Sequence, residues 1–167
     1  MQGWTGSPDE EQCCPSALGA VGSDEMLARL TLIRTKEPSG YTWLKRQDLF
    51  PAHEAPNNDC GNKDGCSVDR RDTLSDDVLL KRSEDFAANG KNRIGDGAYL
   101  VKVETLRRHR LGTMPDRQVL FIYDDPIPEQ NEEHAVIRAS TEVPDEERGI
   151  LIEDLKGHFT KSHLKPE

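Results

Sequence analysis

The stretch Arg117-Gln-Val-Leu-Phe-Ile-Tyr-Asp-Asp-Pro-Ile-Pro-Glu-Gln-Asn-Glu-Glu-His-Ala-Val-Ile-Arg138 decides the fold. It contains the most apolar run of the chain, Val119–Tyr123, then a break at Asp124-Asp125-Pro126, and a second apolar run, Ala135–Ile137. Short apolar runs bounded by turn residues are typical of buried strands. The two prolines of the break each fix a backbone torsion, so the break should be stiff. The stretch therefore predicts two central strands joined by a rigid, acidic corner.

The length and composition of the chain predict one domain with polar tails. Its 167 residues suffice for a single core, but hydrophobic residues are only 34% and charged residues 32%. Segments with few apolar side chains cannot offset the entropy lost on ordering. We therefore expect a disordered tail over residues 1–22, a single domain over residues 24–159 and a frayed tail over residues 160–167.

Short strands alternate with short helices along the predicted domain. The best helix signal starts at the N-cap Ser75, has acids in its first turn and stops at Gly90. The other predicted helices cover residues 43–49, 104–111 and 144–159, and the other strands cover residues 28–35, 66–70, 98–103 and 135–139. This alternation predicts an α+β fold, a small single domain with a mixed sheet and several short helices.

The charge of the chain narrows its partners and its setting. A formal net charge of −9 opposes binding to nucleic acid, because phosphate neutralisation needs clustered Lys and Arg. It favours instead a protein partner with a basic face. No apolar run is long enough for a membrane span, and no signal peptide is recognised at the N-terminus. Four irregularly spaced cysteines do not suggest a disulfide framework, so we expect a cytoplasmic protein.

The sequence predicts no metal or cofactor site. Cys60 and Cys66, with His53 as a third ligand, are poorly spaced for structural zinc, and free thiols or a local disulfide fit better. A calcium loop is excluded because its first and twelfth positions hold Cys60 and Arg71. No phosphate-binding loop, dinucleotide glycine pattern or nucleophile elbow is present around Ser67.

The acidic corner is the candidate binding site, through Asp124, Asp125, Asn131 and His134. His134 stands at the edge of a buried strand, where an imidazole can titrate near neutral pH. One interpretation is a rigid acidic recognition loop. The other is that Asn131 and His134 only satisfy the backbone of a turn, which buried polar groups usually do.

The corner also carries a family resemblance. Cys66-Ser-Val-Asp-Arg70, followed by Asp125-Pro-Ile-Pro128 and Asn131-Glu-Glu-His-Ala-Val-Ile137, resembles a group of short, functionally uncharacterised bacterial proteins. Those proteins carry a Ser-Val strand and close with an Asp-Pro-x-Pro, Asn, His-Ala-x-Ile pattern. This chain has extra residues between Pro128 and Asn131. The resemblance covers about a fifth of the chain and implies a bacterial, cytosolic origin without implying an activity.

Two functions follow as hypotheses. The first is a non-catalytic interaction or accessory module, in the setting of a bacterial conflict or defence operon. The second is a divergent ADP-ribosyltransferase-like enzyme, because Arg34, Ser67 and Glu133 follow the Arg, Ser, Glu order that such enzymes use. If Arg34, Ser67 and Glu133 do not share a cleft in the folded chain, the second hypothesis loses its support.

Overall fold

A computed structural model describes residue 10 and residues 16–34, 43–50, 65–89 and 93–162. These residues form a six-stranded sheet and four α-helices, which confirms the small single α+β domain. The strands are β1 (Met26–Arg34), β2 (Cys66–Arg70), β3 (Arg93–Lys102), β4 (Leu120–Asp124), β5 (His134–Ala139) and β6 (Thr160–Ser162). The helices are α1 (Arg46–Leu49), α2 (Asp76–Ala88), α3 (Val103–Arg108) and α4 (Asp145–His158).

The sheet is antiparallel at every pairing between described strands, so the prediction of a mixed sheet was wrong. The strand order is β4-β5-β2-β1-β3-β6. β2 and β3 run in the same direction, as strands joined by a helical crossover do, but β1 lies between them and opposes both. The alternation of strands and helices in the sequence indicates a crossover connection. It does not indicate that another strand, here β1, lies between the two strands that the crossover joins.

The stretch that decides the fold forms the hairpin of β4 and β5 at one side of the sheet. β4 is an edge strand, so the prediction that both strands are central was wrong. Every residue of β4 and β5 is nevertheless buried. A continuous apolar run indicates that both faces of a strand are buried. It does not indicate a central position, because helices and loops can cover both faces of an edge strand.

Helices cover both faces of the sheet. α2 packs against β1 and β3 with a small core of Ala28, Leu74, Leu79 and Ala98. The larger core contains Leu27, Val101 and Ile137 from the other face, together with Leu151 and Leu155 of α4. Adjacent residues of a strand point to opposite faces, so β1 and β3 contribute to both cores.

The position of α2 on the sheet depends on three local features. The Ser75 side chain accepts a hydrogen bond from the Val78 amide, which confirms the predicted N-cap. The Ser83 hydroxyl donates to the Thr31 carbonyl at 2.9 Å. At Gly95 of β3, an added Cβ would lie 2.8 Å from the Ser83 backbone, so only glycine allows this close approach. The glycines around this position are typical of a turn, yet Gly95 lies within β3.

Parts of both predicted tails belong to the domain. Ser16–Gly22 lies against the sheet, with Val21 buried in the larger core. Glu10 is buried and pairs with Arg107 at 2.7 Å. At the other end, β6 pairs with β3 where fraying was expected. Residues 1–9, 11–15 and 163–167 lie outside the described residues.

Candidate functional site

The corner between β4 and β5 is closed by backbone hydrogen bonds. The Ile127 amide donates to the Asn131 carbonyl at 2.9 Å, and the Asn131 amide donates back to the Ile127 carbonyl at 2.9 Å. Glu129 at the tip has a φ of 63°, in the left-handed region. The Asn131 side chain is therefore not needed to hold the turn, and it is directed elsewhere.

Strand alternation divides the charges of this end of the sheet between its two faces. Asp69 and Arg70 are adjacent in β2, and Asp124 and Asp125 are adjacent at the end of β4. In each pair the two side chains point to opposite faces. The result is an Arg70 cluster on one face, made of Glu25, Arg70 and Asp124. The opposite face carries an Arg82 cluster, made of Asp69, Arg82, Asn131 and Glu133.

The Arg70 cluster is buried and its polar atoms are bonded. Arg70 binds both carboxylate oxygens of Glu25 at 2.8 Å and Oδ1 of Asp124 at 3.2 Å. It also donates to the carbonyls of residues 18, 19 and 20, which close over it. Burial raises the pKa of Asp124, while the Ser16 amide and Arg70 partly oppose the rise. Asp124 thus anchors the domain and is not exposed to a partner.

The Arg82 cluster repeats this chemistry at the surface. Arg82 of α2 lies 3.3 Å from Oδ1 of Asp69 and 3.2 Å from Oε2 of Glu133. It also donates to the side-chain oxygen of Asn131 at 3.2 Å, and Asn131 Nδ2 donates to Asp69 Oδ1 at 2.7 Å. Burial raises the pKa of Asp69, although Asn131 and Arg82 oppose the rise. Both contacts to Asp69 use Oδ1, which leaves Oδ2 for a ligand.

His134 is held in one orientation by Asp125. Its Nδ1 lies 2.8 Å from the Asp125 carbonyl oxygen and 3.1 Å from the Asp125 carboxylate. Because both neighbours are acceptors, Nδ1 carries the hydrogen, and in the neutral ring Nε2 carries the lone pair. No described residue bonds to Nε2, which is open to the cleft that His134 lines. Burial lowers the pKa of His134, but Asp125 and the charge of Asp69 outweigh it, so the pKa is raised.

A cleft of about 140 Å³ lies beside the Arg82 cluster, between α2 and the strands β1, β2 and β5. Its polar lining consists of Arg29, Ser67, Asp69, Asn131 and His134, and its apolar lining consists of Ala28, Leu30, Val68 and Phe86. Arg29 is already engaged with the carbonyls of Ser67 and Trp43. Phe86, 43% exposed, forms the lip. The cleft thus combines apolar walls with acceptor atoms.

The predicted binding residues separate into two groups. Asn131 and His134 line the cleft, while Asp124 and Asp125 are fully buried behind it. The structure also brings Asp69, Arg82 and Phe86 to the site, which the sequence analysis did not identify. Nothing in the local pattern of β2 or α2 reports that these residues meet, because they are adjacent only through strand pairing and helix docking.

The backbone places Arg34 and Glu133 toward opposite ends of β1. The Glu133 carbonyl accepts a hydrogen bond from the Arg70 amide, and Arg70 pairs with Leu27 near the start of β1. Arg34 is the last residue of the same strand. At about 3.3 Å per residue, Leu27 and Arg34 are separated by roughly 20 Å. Ser67 lines the cleft, and its hydroxyl makes no hydrogen bond to His134 or to another described side chain. The described residues therefore give the transferase hypothesis no support.

The described cysteine is also not a reactive group. Cys66 is buried and free, and burial raises the pKa of its thiol to about 11. Such a thiol stays protonated and is a poor nucleophile and metal ligand. Cys13, Cys14, His53 and Cys60 lie outside the described residues. Among the residues that the structure does describe, no group of three or more potential metal ligands occurs.

Similarity to known proteins does not indicate the function of this chain. No protein-family model, curated protein or solved structure matches this chain. None of the helices within the described residues is long and apolar enough to cross a membrane.

Proposed function

We propose that this chain is a non-catalytic interaction module that binds a protein partner with a basic face. The cleft receives a Lys or Arg side chain of that partner. A cytoplasmic setting accompanies the proposal on the grounds of cysteine usage. A bacterial origin rests on the resemblance given above, and a role as an accessory of a defence operon belongs to the same proposal.

One observation carries this proposal: acceptor atoms converge on an apolar-walled cleft. Oδ2 of Asp69 and Nε2 of His134 have no described hydrogen-bond partner, and the Ser67 hydroxyl is exposed beside them. Leu30 and Phe86 form the walls. A Lys or Arg side chain buries its methylene stem along apolar surface and places its charge among acceptors. The lining therefore matches a cationic side chain.

The surroundings of the cleft have the charge that such a partner requires. Glu129 and Glu132 are exposed at the corner and Glu133 is half-buried, and residues 126–134 contain no Lys or Arg. Glu84 and Asp85, exposed on α2, precede the lip residue Phe86. An acidic rim raises the rate at which a basic surface docks and disfavours acidic competitors. Charge complementarity thus extends beyond the single side chain in the cleft.

A peptide-binding measurement tests the proposal. Fluorescence anisotropy of a fluorescein-labelled peptide of alternating Gly and Lys should show binding that weakens with added salt. Asp69→Asn should weaken binding about tenfold, as expected for loss of a charged hydrogen bond. Phe86→Ala removes the lip from an exposed position and should also weaken binding without unfolding the domain.

The matched control is Glu153→Gln, which makes the same change of net charge on the exposed side of α4. If Glu153→Gln weakens binding as much as Asp69→Asn, attraction is general and the cleft is not the site. If Phe86→Ala binds the peptide as tightly as the parent chain does, the cleft is likewise not the binding site. The mass of the peptide should be unchanged after prolonged incubation, and a covalent change would contradict a non-catalytic role.

A further inference from the structure

A histidine pair lies away from the cleft, where the end of α3 meets the end of α4. His109 follows the last residue of α3, and His158 is the last residue of α4. Nδ1 of His109 and Nε2 of His158 are 2.9 Å apart, and the two rings are in edge contact at a centroid distance of 4.9 Å. The two nitrogens face each other as a hydrogen-bonded pair, and a metal ion that bound both would replace the hydrogen between them.

Asp154 supports the pair from the other side of His109. It lies one helical turn before His158, and its Oδ2 is 3.4 Å from Nε2 of His109. That nitrogen is buried, and the contact with Asp154 is not aligned as a hydrogen bond. In metal sites a ligating imidazole usually presents its second nitrogen to a carboxylate, which fixes the ring. His109 thus has the surroundings of a metal ligand.

From this geometry we infer that His109 Nδ1 and His158 Nε2 form a two-histidine site for a divalent transition-metal ion of the zinc, nickel and copper class. Two nitrogens bound tetrahedrally at the usual zinc distance would be about 3.3 Å apart. The observed pair needs to open only by a few tenths of an ångström. The remaining coordination positions belong to water or to an external ligand, since the described residues offer no third ligand on that side.

The chemistry of the two ligands decides which ions the site takes. A neutral imidazole is the form that binds metal. Imidazole ligands select zinc, copper and nickel over magnesium and calcium, which prefer oxygen. The site should therefore ignore Mg²⁺ at concentrations that saturate it with Ni²⁺.

Paramagnetic NMR on the full chain tests the site without relying on a variant. Substoichiometric Ni²⁺ or Cu²⁺ should broaden the amide and ring signals of residues 109 and 158 first, whereas Mg²⁺ should broaden none. Calorimetric titration with Ni²⁺ should then show one bound ion fewer in His158→Gln. Asp154→Asn should weaken binding of that ion by about ten- to a hundredfold, as loss of such an outer partner does.

Glu153→Gln is the control, because it removes an exposed carboxylate of α4 next to Asp154 and should leave the ion count unchanged. Melting temperatures without metal identify any variant that fails to fold, and the NMR result stands independently of them. Broadening that begins elsewhere, or an ion count unchanged in His158→Gln, would overturn the site.

Discussion

The Arg70 cluster and the Arg82 cluster contain the same chemistry in two different environments. Each places one guanidinium between two carboxylates, and both are built from β2 and the end of the β4–β5 hairpin. The Arg70 side chain is 3% exposed and closed over by the carbonyls of residues 18–20, while the Arg82 side chain is 24% exposed beside an open cleft. The two clusters differ in what covers the guanidinium and not in the ion pairs that it makes. The covered cluster holds the fold together, and the open one is available to a ligand.

The largest expected effect is that of Arg70→Met. It leaves Glu25 and Asp124 in the interior without their cation, which should lower the free energy of unfolding by about 3–5 kcal/mol. Urea denaturation monitored by circular dichroism measures the loss. Arg108→Met is the control, because its ion pair with Glu104 is exposed and should contribute almost nothing.

A smaller loss is expected from Arg82→Met, about 1–2 kcal/mol, because Arg82 and Glu133 are partly exposed and water partly replaces the guanidinium. Removing the cation also leaves Asp69 uncompensated, so the Gly-Lys peptide should bind more tightly than to the parent chain. Denaturation and anisotropy measure the two quantities. If Arg70→Met and Arg82→Met cost equal stability, the contrast between the clusters is wrong.

Loss of the α2 cap should change the rate of amide hydrogen exchange near the Arg82 cluster but not near the Arg70 cluster. Ser75→Ala removes the bond to the Val78 amide and should cost about 1 kcal/mol. Because α2 carries Arg82 and not Arg70, amides of α2 should exchange faster while those of β4 and β5 stay protected. Uniformly faster exchange over the whole domain would mean that the two faces unfold as one unit.

The smallest expected effect is a pH dependence from His134, for which two trends oppose each other. Its folded pKa is raised above the ordinary value of about 6.5, so protonation stabilises the folded state. That contribution is complete below the ordinary pKa and is lost as pH rises through the folded pKa. Binding of the Gly-Lys peptide should change in the opposite direction, because protonated His134 loses its acceptor and repels a cation.

Comparison with His134→Gln isolates both trends. The difference in unfolding free energy between parent and variant should decrease as pH rises above the ordinary value of about 6.5, and the difference in peptide affinity should increase over the same range. Parallel trends would show that His134 does not act on the ligand directly.

Much of the secondary structure could be predicted because its signals are local. Apolar runs identified β4 and β5, Cys66–Arg70 was predicted with its exact bounds, and the Ser75 cap marked the start of α2. β6 has no apolar run, and pairing with β3 alone makes it a strand. The direction of neighbouring strands was not predictable for the same reason, since side-chain periodicity is identical in parallel and antiparallel strands.

The corner shows where the sequence stopped being sufficient. Its stiffness and its acidic character followed from the prolines and carboxylates alone, and so did the presence of a titratable histidine. Whether a carboxylate in it is structural or available to a ligand depends on strand pairing. The pairing of β4 with β5 places Asp125 on His134, and the pairing of β5 with β2 brings Arg70 to Asp124, because adjacent residues at the end of a strand face opposite sides of the sheet. Composition and periodicity determined the elements, and the tertiary structure decided which charges are covered and which face the cleft.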